Sequence, residues 1–296
     1  MDKYLHAGVS ALVNTTRKLS LPWFFGHSGA SILAGFFLLK DNDLDVEVSR
    51  AITKYLDQTI SADPVIFELS SLNNSLVSVD ELLSAISICV NSHSTTGHGV
   101  IFGTLALRAL VQEPKLLTRQ VSEGLVTLLR QCLEDVPNRH YGINNYQSSE
   151  VDYSGCKSFS SVKEAAEYSL TVHETVYPDQ TIGETFYFLA GDLLHSVTYA
   201  HALLELEALG YGEIAHQGLG PLSRHIFLSS RLHKDLYPLV AKRVFDPKQL
   251  SFWQRPLAEP HNIKLAYSSM ALIANYSPQE KDKVFRNLSK YWAMYH

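Results

Sequence analysis

Cysteine is scarce in this chain, and the three cysteines lie far apart, at Cys89, Cys132 and Cys156. An odd number of widely separated cysteines favours neither a disulfide framework nor a CxxC metal site. A reducing compartment fits this cysteine usage best. The sequence therefore predicts a cytoplasmic protein.

Long apolar runs are also missing. The longest strongly apolar run, residues 32–39, is far short of the roughly 20 residues that a membrane-spanning helix needs. The first 20 residues lack the continuous apolar core of a signal peptide. We therefore expect neither a membrane partner nor export.

Positive charge is in deficit. The chain has 25 Lys and Arg against 30 Asp and Glu, a formal net charge of -5 and a pI near 6.2, and its basic residues form no cluster. Phosphate backbones are bound by clustered Lys and Arg, so no nucleic-acid partner is expected. The apolar content of 46% is typical of a chain that is folded nearly throughout.

Several well-known active-site motifs are absent. The chain contains no GxGxxG after a strand, no GxxxxGK[ST], no GxSxG and no HExxH. These absences argue against a Rossmann dinucleotide enzyme, a P-loop NTPase, an α/β-hydrolase and a zincin. The paired Glu-x-x-His motifs of carboxylate-bridged di-iron bundles are missing as well, so any metal site would have to be rich in histidine.

Apolar residues recur mostly at intervals of three and four, which predicts a mainly helical protein. The pattern predicts an all-α fold of one domain spanning residues 1–296, either a helical bundle or an α/α toroid around a central pocket lined by histidines. The predicted helices are 28–40, 46–60, 78–91, 98–112, 115–134, 161–176, 182–209, 221–243, 261–275 and 278–294.

Two local features refine this pattern. Residues 137–160 are rich in Asn, Ser, Gly and Tyr, and they break the periodicity for longer than most loops do, so they predict a lid or a linker. The last helix has a capping box, with Ser277 as N-cap, Pro278 at the first position and Glu280 as the partner of Ser277. Gly191 is expected to kink or split the helix at 182–209.

Four histidines share a sequence context. His27, His98, His195 and His261 are each followed by a small or polar residue and then by an apolar helical run. Four helices that start in this way can gather their N-terminal ends around one cavity. The repeat therefore predicts a histidine-lined pocket.

The segment 192–205 combines two of the thirteen histidines with carboxylates in one apolar helical pattern. Asp192 and His195 are three residues apart and share a helix face, so the carboxylate can orient the imidazole. His201 points about 120° away from His195 at 100° per residue. The two histidines are expected to serve different surfaces.

The imidazoles in such a pocket can act in three ways. They can bind a metal, for which His98, His195 and His261 are the candidates, they can act as acids or bases near neutral pH, or they can donate hydrogen bonds to a polar substrate. The spacing leaves all three open.

Three of these segments resemble helices of the questin oxidase-like family. They are HGVIFGTLALRAL from His98, LLHSVTYAHALLEL from Leu193 and PHNIKLAYSSMAL from Pro260, and GHSGASILAGFFLL from Gly26 is a looser fit. The resemblance implies a helical oxidoreductase related to enzymes that open aromatic polyketide rings by a Baeyer-Villiger type oxygen insertion with NADPH. It also implies four active-site residues, His98, His195, His201 and His261, with His27 as the next candidate.

The leading hypothesis is an oxidoreductase of secondary metabolism that acts on a small aromatic or polyketide-like molecule. In this hypothesis His195 is the general base or a metal ligand, oriented by Asp192, and His98 and His261 bind the substrate oxygens. The substrate pocket is completed by five further residues, namely His27, His201, Tyr199, Tyr267 and Phe102. Two alternatives remain open: a histidine-ligated metalloprotein of another reaction class, and a non-catalytic helical protein that binds a small molecule.

Overall fold

The computed structural model describes residues 2–17, 21–68, 76–92, 96–134, 136–254 and 259–294. Within these ranges the chain is mainly helical, and its only sheet is a two-stranded one, so the predicted all-α fold is confirmed. No helix of the described ranges is both long enough and apolar enough to cross a membrane.

The chain divides into two compact units. Unit 1 comprises Met1–Cys89, His98–Glu134 and Pro247–Tyr267, and unit 2 comprises Val90–Gly97, Asp135–Asp246 and Ser268–His296. The prediction of a single domain stays a prediction.

Unit 1 is built around two nearly fully buried helices. Its elements are α1 (Asp2–Arg17), α2 (Gly26–Asp41), α3 (Val46–Ala62), α4 (Pro64–Phe67), most of α5 (Asp80–Asn91), α6 (His98–Gln112), α7 (Arg119–Gln131), α12 (Leu250–Trp253) and the first part of α13 (His261–Leu272). Helices α2 and α6 are buried along most of their length and pack against each other, and α1 packs against both α2 and α7. The starts of α2, α6 and α13 position the site described below.

Glycine allows α1 and α2 to cross at close range. A Cβ atom on Gly29 would lie 2.6 Å from the carbonyl oxygen of Gly8 and 2.8 Å from the backbone nitrogen of Leu12. Both of these are backbone atoms and cannot rotate away. The contact therefore requires a residue without a side chain at position 29.

Unit 2 is organised around α9 (Ala190–Ala208), which is buried over most of its length. Helices α8 (Val162–Ser169), α10 (Gly212–Gln217) and α11 (Leu219–Ser229) pack against it, and α14 (Pro278–Met294) belongs to the same unit. The carboxylate of Asp179 accepts hydrogen bonds from the backbone N–H groups of Leu189, at 2.7 Å, and Gly191, at 2.9 Å. A residue outside the helix thus caps its start.

Most of the predicted helices are present, and the last has the predicted cap. The Ser277 backbone N–H donates to the Glu280 carboxylate at 2.8 Å, and the Glu280 N–H donates to the Ser277 hydroxyl at 3.4 Å. Helix α1 was not predicted. The helices predicted at 115–134 and 161–176 are shorter than expected, since α7 begins after its N-cap Thr118 and α8 ends at Ser169.

Two predicted helices are wrong over part of their length. The range 182–209 begins with a hairpin of β1 (Gln180–Ile182) and β2 (Thr185–Tyr187), whose two-residue turn uses the positive φ of Gly183, 64°. Gly191 lies in the first turn of α9, so it neither kinks nor splits a helix. The helix predicted at 221–243 ends at Ser229, well before Pro238, which cannot donate a helical hydrogen bond.

The segment 137–160 is irregular, as predicted, and it is anchored by buried side chains. Tyr141 and Tyr146 form a buried cluster with Leu228 of α11. Tyr141 has a φ of 59°, in the left-handed region that a residue with a Cβ rarely adopts. Whether the segment acts as a lid stays a prediction.

Candidate functional site

Three of the four repeated histidines come together in unit 1. His27 is the second residue of α2, and His98 and His261 are the first residues of α6 and α13. The ring centroids are 4.7 Å apart for His27 and His98, 4.3 Å for His27 and His261, and 6.2 Å for His98 and His261. One ring nitrogen from each histidine lies within 4.8 Å of those of the other two. We call these residues the three-histidine cluster.

Three aromatic side chains lie against two members of the three-histidine cluster, His27 and His98. Trp23 lies 4.7 Å from the His98 ring, Phe24 lies 4.7 Å from the His27 ring, and Phe102 meets the His27 ring edge-on at 5.1 Å. His27 is 2% and His98 7% exposed. Apolar surroundings of this kind disfavour a charged imidazole and strengthen any polar contact made inside.

Glu259 and Lys264 are the charged neighbours of the three-histidine cluster. The His261 ring donates from Nδ1 to the Glu259 carboxylate, and the His261 backbone N–H donates to the same oxygen, Oε1, at 3.2 Å. Nζ of Lys264 is hydrogen-bonded to Nδ1 of His27 and lies 5.5 Å from the Phe102 ring centroid. Lys264 is one turn beyond His261 on α13, so both point to the same side of that helix.

Burial controls the charge states of these groups. Burial, together with the charge of Lys264, lowers the pKa of His261 to about 4, against the opposing effect of Glu259. Burial likewise lowers the pKa of Lys264 to about 7, again opposed by Glu259. Burial acts to raise the pKa of Glu259, but its hydrogen bonds from His261 outweigh this and hold the pKa below its ordinary value. Near neutral pH the cluster therefore holds a neutral His261 beside an ionised Glu259.

The three-histidine cluster has the composition of a metal site. Neutral imidazole is the commonest metal ligand in proteins, and it suits zinc, iron, copper and nickel. Two imidazole nitrogens on one tetrahedral ion are about 3.3 Å apart, given bonds of about 2.0 to 2.1 Å. The three nitrogens, which lie within 4.8 Å of one another, would need to approach by up to about 1.5 Å, a shift within reach of side-chain rotation.

Two further residues that were predicted to shape the pocket belong to unit 1. Phe102 contacts both His27 and His98, at 5.1 and 5.6 Å between ring centroids. Tyr267 lies further along α13, where its hydroxyl accepts a hydrogen bond from Arg108 and its ring stacks on Phe37 at 6.2 Å. The role of Tyr267 in a pocket stays a prediction.

The fourth histidine of the repeat, His195, belongs to unit 2 and does not start a helix. It lies in the second turn of α9, and its Nδ1 donates to the carbonyl oxygen of Gly191 one turn earlier. The expectation that His195 begins its helix is wrong, because the chain before it completes the hairpin and the first turn of α9.

Asp192 orients a different histidine from the one predicted. Its carboxylate accepts from Nδ1 of His140 at 2.7 Å and from the backbone N–H of Tyr141 at 2.6 Å. The predicted orientation of His195 by Asp192 is therefore wrong, although both residues lie where the helical spacing places them. Burial raises the pKa of Asp192 to about 6, against the lowering effect of His140.

The contacts of Asp192 continue into a buried network in unit 2. The Tyr141 hydroxyl donates to Nδ1 of His225 at 2.9 Å, and Nε2 of His225 donates to the carbonyl oxygen of Asp192 at 2.9 Å. Segment 137–160 is thereby tied to α9 and α11 through side chains that are almost fully buried. We interpret this network as the anchor of the segment.

His201 and Tyr199 also belong to unit 2. Nδ1 of His201 lies 3.1 Å from the Ser268 hydroxyl, and its Nε2 lies 3.3 Å from the Glu205 carboxylate one turn along α9. The Tyr199 ring packs against Gly97, where a Cβ would lie 2.6 Å from it, and its hydroxyl donates to the carbonyl of Val90 at 3.5 Å. Their roles in substrate binding stay predictions.

Four residues at or near the three-histidine cluster were not predicted: Trp23, Phe24, Glu259 and Lys264. Glu259 had a usable signal, because it lies two residues before His261 and next to Pro260, where a carboxylate can cap the helix. Lys264 had no such signal, because a lysine three residues after His261 is also what an exposed helix surface would show. His140 also escaped notice because it lies in a polar segment without periodicity.

Comparisons of this chain with protein-family models, with curated proteins and with solved structures found no match. The functional interpretation therefore depends on the geometry of the residues. Within the part of the chain that the structure describes, the three-histidine cluster is the group of side chains best suited to hold a metal ion.

Proposed function

We propose that this chain is a metalloprotein that binds one divalent transition-metal ion through His27, His98 and His261. The observation that carries the proposal is the meeting of three imidazoles, two buried and one partly buried, from three separate helix starts, with ring nitrogens within 4.8 Å of one another. We further propose that the bound ion serves an oxidoreductase that acts on a small aromatic or polyketide-like molecule.

The charge state of His261 supports metal binding over a purely structural role. A ligating imidazole must be neutral, and burial keeps His261 neutral at physiological pH. Histidines in a core that serve packing alone are commonly satisfied by backbone or hydroxyl partners, as His173 is by the Ser169 carbonyl and the Tyr291 hydroxyl. The three-histidine cluster differs in bringing imidazoles from three helix starts to within 4.8 Å of one another, measured between ring nitrogens.

The ligand count supports catalysis over a structural metal site. Structural zinc is held by four protein ligands, whereas catalytic ions usually have three and keep a position for water or substrate. A redox-active ion held by imidazoles would supply the electron-transfer chemistry that an oxygenase needs. The part of this chain would be to hold that ion beside the apolar rings of Trp23 and Phe102, which would strengthen its electrostatic effect on a bound substrate.

The oxidoreductase part of the proposal is supported by the likeness of the His98, Leu193 and Pro260 segments to the questin oxidase-like family. This likeness implies an aromatic polyketide substrate and NADPH as the electron source. The proposed metal would be the redox centre of this reaction. Such a centre does not require the nucleotide-binding motifs that the sequence lacks.

Metal content tests the first proposal directly. The protein is purified without a histidine tag and without chelators, and its metals are measured by elemental analysis. We expect about one equivalent of a transition metal in the unmodified chain and a large loss in His98→Ala and His261→Ala. His6→Ala and His216→Ala are matched controls, since both of these histidines are exposed. Equal metal content in all five proteins, or a metal-free protein throughout, contradicts the proposal.

The reaction is tested separately on the metal-loaded protein. Oxygen consumption and NADPH oxidation are measured with hydroxylated polycyclic aromatic compounds, and ¹⁸O₂ is used to follow oxygen into the product. We expect turnover that depends on both NADPH and oxygen and that is lost in His98→Ala. Stoichiometric metal binding without any turnover would leave the metal site in place and refute the oxidoreductase.

A further inference from the structure

Among the residues that the structure describes, Glu259 makes two hydrogen bonds, and both of them go to His261. One carboxylate oxygen accepts from Nδ1 of the His261 ring and, at 3.2 Å, from the His261 backbone N–H. Glu259 is 26% and His261 12% exposed, so the pair lies at the less buried side of the three-histidine cluster. One oxygen of this carboxylate is thus directed at the ring and the backbone N–H of His261.

We propose that Glu259 is a positioning residue for the metal site: it holds His261 in the tautomer that carries its proton on Nδ1, and so presents the lone pair of Nε2 to His27 and His98. This inference rests on the proposed metal-binding function. It assigns the orientation of His261 to a residue outside the three-histidine cluster.

The physical basis is the choice between two tautomers of a neutral imidazole. In water the proton is shared between Nδ1 and Nε2, and only a nitrogen without a proton can bind a metal. A carboxylate that accepts from Nδ1–H selects one tautomer, fixes the ring orientation and makes the opposite nitrogen more basic. Because the same oxygen also accepts from the backbone N–H, the carboxylate cannot follow the ring if the ring turns away.

The double contact also ties the metal ligand to the start of α13. Glu259 caps the first N–H of the helix while it orients the first side chain of the helix. Loss of Glu259 therefore has two expected effects, a weaker helix start and a wrongly oriented ligand. The test must separate them.

A cap in the same unit supplies the control. Asp45, the N-cap of α3, accepts from the Glu47 backbone N–H at 2.8 Å and orients no histidine. Asp45→Ala removes a helix cap without touching the three-histidine cluster. A fall in melting temperature in both Asp45→Ala and Glu259→Ala reports the loss of a helix cap. A fall in metal affinity in Glu259→Ala alone reports the loss of His261 orientation.

The experiment compares Co²⁺ and Zn²⁺ dissociation constants for the full chain and for Glu259→Ala, Glu259→Gln and Asp45→Ala. We expect Glu259→Ala to weaken binding about 10- to 100-fold and to change the visible spectrum of bound Co²⁺. Glu259→Gln keeps an oxygen acceptor but no charge, so its loss should lie near the lower end of that range. Asp45→Ala should bind both metals as the unmodified chain does.

A second measurement does not depend on any metal. The ¹⁵N chemical shifts of His261 in the metal-free protein report which ring nitrogen carries the proton. We expect the Nδ1–H tautomer in the unmodified chain and a mixture in Glu259→Ala. Unchanged affinity and an unchanged tautomer in Glu259→Ala would overturn the inference while the metal site stands. A chain that binds neither metal but shows the Nδ1–H tautomer would refute the proposed function instead.

Discussion

Acidification should weaken unit 2 through His173, a histidine that is fully buried and takes no part in the proposed site. Its Nε2 donates to the Ser169 carbonyl at 2.7 Å, and its Nδ1 accepts from the Tyr291 hydroxyl at 2.6 Å. The ring is therefore neutral, with one proton and one lone pair both in use. A second proton would have to enter at the nitrogen that Tyr291 occupies.

Burial is the main cause of the shift, and it lowers the pKa of His173 from 6.5 to about 4. In the unfolded chain the same imidazole is in water and binds a proton at the higher pH. Between about pH 6.5 and 4 the unfolded state thus binds more protons than the folded state, so the free energy of unfolding falls as the pH falls. The difference of about 2.5 pH units, at about 1.4 kcal/mol each, gives a loss of about 3 kcal/mol.

The assay is urea denaturation followed by circular dichroism at several pH values from 7.5 to 4. The unmodified chain is compared with His173→Gln, which removes the titrating group, and with His216→Gln, which removes one exposed histidine as a control. Other groups titrate in this range in all three proteins, so the comparison uses the difference between the profiles. We expect the profile of His173→Gln to be flatter by up to about 3 kcal/mol over the window. Parallel profiles for the unmodified chain and His173→Gln would refute the reasoning.

Three other predictions concern the fold and the anchored segment. Asp192→Asn leaves one acceptor oxygen for two donors, His140 and the Tyr141 backbone N–H. We expect the free energy of unfolding to fall by about 2 to 3 kcal/mol and proteolysis within residues 137–160 to become faster. Cleavage at the rate of the unmodified chain would contradict this prediction. Gly29→Ala places a Cβ against the backbone of α1 and should cost about 1 to 3 kcal/mol in thermal denaturation, whereas Gly212→Ala, which meets nothing within 4 Å, should be nearly neutral. Ser277→Ala removes the capping-box hydroxyl, and we expect a loss of about 1 kcal/mol, with equal stability as the contrary result.

Many helix positions could be predicted from the sequence because they depend on residues that are close together along the chain. The three-and-four spacing of apolar residues and the Ser277–Glu280 capping box are local signals, and they correctly placed α2, α3, α6 and α14. The helix predicted at 182–209 wrongly includes part of the hairpin before α9, in which Gly183 is the first residue of a two-residue turn. A short apolar run is compatible with either a strand or a helix until its turn is identified.

The histidine repeat was a partial guide to the site. A histidine at a helix start, followed by a small or polar residue and an apolar run, identified His27, His98 and His261, and these three meet in unit 1. The same pattern also selected His195, which lies one turn into α9 because the hairpin delays the start of that helix. Helix starts, and therefore the orientation of side chains near them, depend on what precedes the helix.

The sequence by itself determined the helical class, the bounds of helices such as α3, α6 and α14, and three of the histidines that meet in unit 1. Only the tertiary structure decided which side chains are hydrogen-bonded to one another. Asp192 bonds His140, 52 residues away, in place of His195 three residues along, and Lys264 contacts His27, 237 residues away. The reason is physical: spacing along a helix limits which side chains share a face, whereas a buried carboxylate or ammonium bonds whatever polar group the packing of other elements brings to it.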